Sequence, residues 1–189
     1  MSRCGIIILA AGGSARLGRP KQALAVDGEP LLARITRAAV ASRASEVLVV
    51  LGAHAQECME ILDGLGARTV INPGWREGIA FSIRAGVQNL SPGLDAAMIL
   101  LCDQPRVSME SINALLSLQG SSIIASSYGG SLGPPAIFPV EFFPELMALE
   151  GDQGAKKIFS SHPDELIAVP FPEGEIDIDT PADYERLLS

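Results

Sequence analysis

The chain has 189 residues, 48 % of them hydrophobic, and a mean hydropathy of +0.29, which is enough apolar material for one buried core but not for a second full domain. No apolar run approaches the ~20 residues that cross a bilayer, and no cleavable signal pattern precedes the first strand, so we expect a cytoplasmic protein with no membrane partner. The net charge of −8 and the lack of any Lys/Arg run argue against a nucleic-acid backbone as partner.

Apolar runs typical of buried strands alternate along the chain with amphipathic stretches typical of helices. Strands are predicted over residues 6–9, 47–51, 68–71, 96–101, 122–127 and 136–138, and helices over 30–42, 53–65, 79–89, 108–118, 142–149, 153–160 and 181–188. This alternation predicts crossover connections and a mainly parallel sheet with helices on both faces. The expected fold is therefore a single three-layer α/β/α domain with a Rossmann-like sheet.

The loop after the first strand is suited to binding an anion. Gly12 and Gly13 allow a sharp turn that aims several N–H groups at one point, and Arg16 and Lys21 add two positive charges. A Walker A loop would need Ser or Thr after the lysine, but Lys21 is followed by glutamine. A dinucleotide fingerprint would need spaced glycines that open a helix, whereas these are adjacent and Pro20 interrupts the segment.

Two further segments are predicted to meet this loop, since ligands of such sheets bind at the carboxyl ends of the strands. They are residues 72–78, which follow the third strand, and residues 103–105, which follow the fourth. Asp103 emerges where a buried strand ends and is a candidate ligand for Mg²⁺, which prefers carboxylate oxygens. Alternatively, Asp103 caps the next helix or pairs with Arg106.

The chain resembles the nucleotidyltransferases with a MobA-like fold, above all the molybdenum cofactor cytidylyltransferases. The resemblance is carried by Leu-Ala-Ala-Gly-x-x-x-Arg-x-Gly-x-x-Lys from Leu9 to Lys21, and by four later segments. These are Asn-Pro-x-Trp-x-x-Gly at 72–78, Asp-Gln-Pro at 103–105, Gly-Asp-Gln-Gly-Ala at 151–155 and Asp-Ile-Asp-Thr-Pro at 177–181. A departure occurs at Gly133-Pro134-Pro135, where close relatives carry His or Asn in the middle, so a polar acceptor contact is missing there.

The resemblance implies roles for residues at the matching positions. Arg16, Lys21 and Asp103 would be catalytic, and Asp179, preferred narrowly over Asp177, would be a second metal ligand unless it serves the cap of the last helix. The nucleotide would be bound by Leu9, Ala10, Ala11, Gly12, Gly13, Lys21, Asn72, Gly78 and Ser82. The acceptor would be bound by Gly133, Asp152 and Gln153, although Asp152 is also a good N-cap, and Trp75 either stacks on a ring or pins its loop.

The implied reaction is magnesium-dependent transfer of a nucleoside monophosphate to the phosphate of molybdopterin, with release of pyrophosphate. CTP is the expected donor, partly because of Ala11, and GTP is the alternative. A sugar-phosphate or alcohol-phosphate nucleotidyltransferase and a non-enzymatic nucleotide-binding regulatory module remain as other interpretations, and an acceptor molybdoenzyme or its chaperone is a possible protein partner.

The charge is divided unevenly between two parts of the chain. Residues 1–106 contain 11 Lys/Arg and 9 Asp/Glu, whereas residues 107–189 contain 3 and 13. We expect residues 1–106 to bind nucleotide and metal, and residues 107–189 to form an elaboration on the acceptor side of the same domain.

The cysteines and histidines predict no metal centre of their own. Cys4, Cys58 and Cys102 are widely spaced in apolar or helical segments, so we expect reduced packing residues rather than disulfides. His54 and His162 do not lie at the spacing of zinc ligands.

Overall fold

A seven-stranded mixed sheet forms the centre of the molecule in the computed structural model, which describes residues 3–15, 17–176, 178 and 180–188. Its strands are β1 (Cys4–Ala10), β4 (Glu46–Leu51), β5 (Arg68–Ile71), β6 (Ala96–Leu101), β7 (Ile123–Tyr128), β8 (Ser131–Pro139) and β9 (Leu166–Pro170). Their order is β5-β4-β1-β6-β8-β7-β9; β8 is antiparallel to both of its neighbours, and every other pairing is parallel. A separate hairpin joins β2 (Ala25–Val26) to β3 (Glu29–Pro30).

Strand β1 lies between β4 and β6, and every residue in it is buried. Ile7 is in register with Leu48 on one side and Ile99 on the other, and all three are at most 1 % exposed. Burying each such side chain contributes about 1.5–3 kcal/mol. This is why the central strands have continuous apolar sequences rather than alternating ones.

Among the described residues, six helices cover the two faces of the sheet: α1 (Leu31–Val40), α2 (Ala55–Leu62), α3 (Ile79–Gln88), α4 (Met109–Leu116), α5 (Phe143–Met147) and α6 (Lys156–Ser161); a further helix, α7 (Pro181–Leu188), lies apart from them. Ile6 and Ile8 pack with α1, α2 and α4, whereas Ile7 packs with α3, α5 and α6. The predicted three-layer, mainly parallel architecture is therefore confirmed. Helix α7 packs beside the β2–β3 hairpin, in a smaller cluster.

Several predicted boundaries differ from the structure. Strand β9 and the β2–β3 hairpin were not predicted, and β8 begins at Ser131, before the predicted start of that strand at residue 136. Helix α6 begins at Lys156 with Ala155 at its N-cap, so Asp152 does not cap it. Helix α7 is capped at its start by Thr180 and Asp183, since each side chain accepts a hydrogen bond from the other's backbone N–H.

The three cysteines have unpaired sulfurs and lie in the core, as predicted for packing residues. In the part of the chain that the structure describes, no helix is long and apolar enough to cross a membrane.

Candidate active site

A cleft of about 660 Å³ opens at the carboxyl ends of β1 and β6. Its walls come from the glycine loop after β1, the start of α3, the end of β6 and the loop before α6. The lining residues are Leu9, Ala11, Gly12, Gly13, Lys21, Gln22, Trp75, Arg76, Gly78, Ile79, Ser82, Leu101, Cys102, Asp103 and Asp152. The prediction that the segments after β1, β5 and β6 meet at one edge of the sheet is confirmed.

Two polar residues that sequence reasoning missed hold the glycine loop. Gln22 is 1 % exposed, and its Nε2 donates to the carbonyls of Ala10 at 2.8 Å and Gly12 at 3.0 Å. Ser14 adopts a left-handed φ of 51°, and its Oγ accepts from the backbone N–H of Lys21 at 3.0 Å. These bonds fix the path of the loop and the position from which Lys21 extends. The only sequence signal for Gln22 was a polar residue between the lysine and an apolar run.

Lys21 and Asp103 form an ion pair inside the cleft. Lys21 Nζ lies 2.6 Å from Asp103 Oδ2, and the two side chains are 15 % and 14 % exposed. This pairing replaces the alternative in which Asp103 pairs with Arg106. The other carboxylate oxygen, Asp103 Oδ1, is buried and has no hydrogen-bond partner among the described residues. A buried carboxylate oxygen without a partner fits a hard divalent cation such as Mg²⁺.

Gln104 connects the Asp103 loop to the strands beside it. Its side chain is 3 % exposed, and Nε2 donates to the carbonyl of Pro134 at 2.8 Å. Tyr128 Oη donates to the same carbonyl at 2.9 Å. The residue after the carboxylate is therefore bonded to the β7–β8 hairpin, and Pro134 lines a second cavity beside the cleft.

Asn72 and Ser82, both predicted to bind nucleotide, contact each other. Asn72 Nδ2 donates to Ser82 Oγ at 3.1 Å, and Asn72 Oδ1 accepts from the N–H of Gly74 at 3.0 Å. Ser82 lines the cleft, whereas Asn72 is buried behind it and is not among the lining residues. Asn72 thus supports the start of α3 rather than the wall of the cleft.

Trp75 packs against the glycine loop and also faces the cleft. A Cβ added to Gly13 would lie 3.1 Å from two atoms of the indole ring, and the guanidinium carbon of Arg76 lies 4.3 Å from the ring centroid. Because both Trp75 and Arg76 line the cleft, the indole pins the loop and leaves an aromatic surface at the site.

The start of α3 touches the loop before α6 through a close contact between backbone atoms. Gly78 has a φ of 110°, and a Cβ there would lie 2.1 Å from the carbonyl oxygen of Gly151. The same carbonyl accepts from the N–H of Ala80 at 3.1 Å. This contact holds the exposed Asp152 where it lines both the cleft and the second cavity.

The other residues predicted to bind acceptor lie in different surroundings. Gln153 lines the second cavity, and its Oε1 accepts from Lys157 Nζ at 3.1 Å. Gly133 is buried against Tyr128, and a Cβ there would lie 2.2 Å from the phenolic oxygen. Gly133 therefore allows the close packing of Tyr128, and it does not line the cleft or the second cavity.

Three predicted residues, Arg16, Asp177 and Asp179, lie outside the described part of the chain. Cys102 lines the cleft, but burial, and secondarily the charge of Asp103, raise the pKa of its thiol far above the usual range. Cys102 is accordingly not a thiolate nucleophile at neutral pH.

Comparison with known proteins identifies the family of this chain. The model of the MobA-like NTP transferase domain matches residues 6–166. The chain is 35 % identical over 197 residues to the purine catabolism protein PucB of Bacillus subtilis, covering 96 % of this chain and 94 % of PucB. It is 29 % identical over 195 residues to nicotine blue oxidoreductase of Paenarthrobacter nicotinovorans, covering 96 % and 95 %. A shorter match, 33 % over 123 residues, is to 2-C-methyl-D-erythritol 4-phosphate cytidylyltransferase of Streptomyces avermitilis, covering 61 % and 49 %.

Solved structures with high similarity to the chain include two of one mycobacterial protein. Rv0371c of Mycobacterium tuberculosis superimposes with a TM-score of 0.86 at 29 % identity, covering 99 % of this chain and 98 % of that one. A manganese complex of Rv0371c has a TM-score of 0.81 at 26 % identity, again covering 99 % and 98 %. With the glycine loop, the paired lysine and the strand-end carboxylate in one cleft, this chain belongs to the MobA-like NTP transferase family and is a nucleotidyltransferase.

Proposed function

We propose that the protein transfers CMP from CTP to the phosphate of molybdopterin in a magnesium-dependent reaction that releases pyrophosphate. Residues 1–106 would bind nucleotide and metal, and residues 107–189 would complete the acceptor side. The observation that carries the proposal is the Lys21–Asp103 pair at 2.6 Å, with Asp103 Oδ1 left unpartnered among the described residues. Lys21 can neutralise phosphate charge, and Asp103 can hold a cation.

In the proposed reaction, an oxygen of the acceptor phosphate attacks the α-phosphorus of CTP, and the bond from that phosphorus to the bridging oxygen breaks. The two electrons of that bond leave with pyrophosphate. Lys21, and Arg16 in the same loop, would stabilise the charge that develops on the leaving group. The backbone N–H groups of residues 9–13 would hold the base and phosphates in line.

Asp103, together with Asp179, would hold the divalent cation. When bound there, the cation supplies Lewis-acid neutralisation of the two phosphates that must approach each other. A divalent metal is consistent with the manganese in the Rv0371c complex, a protein of the same fold. No covalent nucleophile is needed, in keeping with the raised pKa of the Cys102 thiol.

The preference for CTP rests on the Leu-Ala-Ala-Gly sequence and on Ala11 in particular. The Ala11 carbonyl accepts from the N–H of Ala53 at 3.1 Å, and a Cβ on Gly52 would lie 2.5 Å from that oxygen. The Ala11 peptide, which would lie beside the base, is thus held through its carbonyl by Ala53, and this supports recognition of the base through backbone groups. The relative from Streptomyces avermitilis is named as a cytidylyltransferase, and this supports the same donor.

The test is to incubate the full chain with Mg²⁺, molybdopterin and each nucleoside triphosphate in turn, and to identify the product by mass. We expect molybdopterin cytosine dinucleotide and pyrophosphate with CTP. A parallel reaction with 2-C-methyl-D-erythritol 4-phosphate tests the alcohol-phosphate alternative, which the partial match to that cytidylyltransferase favours. If neither CTP nor GTP yields a dinucleotide with molybdopterin, the proposal is wrong.

Replacement of Asp103 by alanine should lower kcat/KM by about 10²- to 10³-fold or more, as when a group that stabilises transition-state charge is removed. The matched control is Asp164→Ala, which removes an exposed carboxylate that does not line the cleft. Circular dichroism checks that both variants are folded. Near-normal turnover by the folded Asp103→Ala variant would show that Asp103 is not a ligand of the metal.

A further inference from the structure

Helix α7 packs against the lysine segment, residues 17–26, which carries Lys21. The match to the family model ends at residue 166, so α7 lies beyond that match. Ile178, just before the helix, is 0 % exposed and shares one buried cluster with Leu17 and Leu24. Leu17 precedes Lys21 by four residues and Leu24 follows it by three, so the cluster holds the chain on both sides of the lysine.

Tyr184, in α7, makes two further contacts with the lysine segment. Its Oη donates to the carbonyl of Ala25, in β2, at 2.6 Å. The guanidinium carbon of Arg19 lies 5.1 Å from the centroid of the tyrosine ring. A guanidinium within about 6 Å of an aromatic ring is attracted by the charge distribution of the ring. Tyr184 therefore contacts the chain both before and after Lys21.

A second set of contacts fixes the lysine segment to the strand at the centre of the sheet. Gln22 is 1 % exposed and donates hydrogen bonds to carbonyls of β1 and the glycine loop. In the short helical turn that begins at Lys21, the lysine N–H donates to Ser14 Oγ at 3.0 Å, and the N–H of Leu24 donates to the Lys21 carbonyl at 3.1 Å. The backbone of Lys21 is thus held from β1 and from α7.

The position of this backbone decides where the ammonium group of Lys21 lies. Nζ lies 2.6 Å from Asp103 Oδ2, and the lysine side chain is 15 % exposed. Because a lysine side chain is flexible, the position of its charge is fixed only if the backbone that carries it is fixed. A misplacement of about 1 Å in a reacting site can lower the rate by about 10²-fold. An element that holds the Lys21 backbone can therefore affect the reaction without touching the substrate.

We propose that α7 is a strap that positions Lys21 for the triphosphate, and that Tyr184 is the positioning residue through which it acts. Tyr184 does not line the cleft, so its effect on a bound nucleotide passes through the lysine segment. The contact between Lys21 and the triphosphate rests on the proposed function. The packing of α7 on the lysine segment does not.

The test is a double-mutant cycle between Tyr184 and Lys21, in which calorimetry measures the affinity of the full chain for CTP, and for GTP in parallel, with Mg²⁺ and without acceptor. We expect Tyr184→Ala to weaken binding about tenfold, the effect of losing one hydrogen bond to a charged group. Lys21→Ala protein has already lost that bond, so adding Tyr184→Ala should change its affinity by less than about twofold.

Two further variants separate the strap from the helix as a whole. Tyr184→Phe keeps the ring against Arg19 and loses only the hydrogen bond to Ala25, so its affinity should stay within about threefold of wild type. The matched control, Glu185→Ala, removes an exposed side chain of the same helix and should bind as wild type does. Circular dichroism checks that every variant is folded.

Hydrogen exchange tests the strap in the free protein. The N–H groups of Lys21 and Leu24 both donate hydrogen bonds within the structure around the lysine. If α7 holds this turn, Tyr184→Ala should raise the exchange rates of these amides about tenfold, because local opening becomes easier. The amides of β1 should exchange as slowly as in wild type.

Unchanged exchange in the lysine segment of Tyr184→Ala overturns the inference. So does an equal loss of nucleotide affinity in the wild-type and Lys21→Ala backgrounds. That second result would also reveal an effect through the metal, because Asp179, the proposed second ligand, belongs to the same C-terminal segment and its effect would persist without Lys21.

The proposed function fails separately from this inference. If no dinucleotide forms with molybdopterin but the cycle shows coupling between Tyr184 and Lys21, the strap stands and the proposed acceptor is wrong. If the dinucleotide forms and the cycle shows no coupling, the proposed function stands and the strap is wrong.

Discussion

Replacing Gly78 by alanine should lower the free energy of unfolding and also raise KM for the substrates. Gly78 has φ 110° and ψ 171°, a region that is nearly restricted to glycine and costs other residues about 1–3 kcal/mol. The new Cβ would also lie 2.1 Å from the Gly151 oxygen and 2.7 Å from the Asp152 nitrogen. Since both atoms belong to the backbone, the loop must move, at a further cost of about 1–3 kcal/mol.

The expected total loss in the free energy of unfolding is about 2–6 kcal/mol, measured by urea denaturation with far-UV circular dichroism. Gly64→Ala is the matched control, because Gly64 has a φ of 71° with no atom within 4 Å of an added Cβ. It should cost about 1–2 kcal/mol from the backbone conformation alone. Under native conditions, Gly78→Ala should also raise KM for both substrates, because Gly78 lines the cleft and its contact with Gly151 holds Asp152. Equal destabilisation by the two substitutions would refute the contact argument.

Two more predictions concern ionisable groups away from the Lys21–Asp103 pair. Hydrogen bonds to Glu145, and then to Glu165, raise the pKa of His162, so its stabilising contribution is complete below the unfolded value of ~6.5 and is lost as the pH rises through the folded value. The difference in unfolding free energy between wild type and His162→Gln should therefore shrink from pH 6 to pH 9, and a difference independent of pH would contradict this. Burial raises the pKa of Cys4 to about 12 and that of Cys58 to about 11, so native protein at pH 8 should resist a thiol-specific disulfide reagent that labels all three thiols in urea. Rapid labelling of these thiols in native protein would show that they are accessible.

The central sheet could be predicted because β1, β4 and β6 are buried on both faces and must be apolar throughout. Edge strands lack this signal. Strand β9 was missed because three of its five residues are exposed and its sequence, Leu-Ile-Ala-Val-Pro, is short and ends in proline. The antiparallel direction of β8 could not be predicted from the sequence, because the direction of a strand depends on its partner strands. The Gly-Pro-Pro sequence of residues 133–135 also resembles a loop.

Within the site, residues whose position follows from the end of a strand could be predicted from the sequence. Residues whose position depends on the packing of a loop could not. Asp103 could be placed because it directly follows a buried strand. The burial of Gln22 depends on carbonyls that turn towards it only in the folded loop. The Gly78–Gly151 contact joins residues far apart in the chain, so no local pattern could reveal it.

The bond from Gln104 to the Pro134 carbonyl has a consequence for how acceptors are chosen. It ties the residue beside the carboxylate to a wall of the second cavity through one buried amide. The position of the Asp103 loop is then coupled to that wall by a hydrogen bond within the folded core. An acceptor that reaches both the Lys21–Asp103 pair and the second cavity must therefore match the spacing that the fold sets between them.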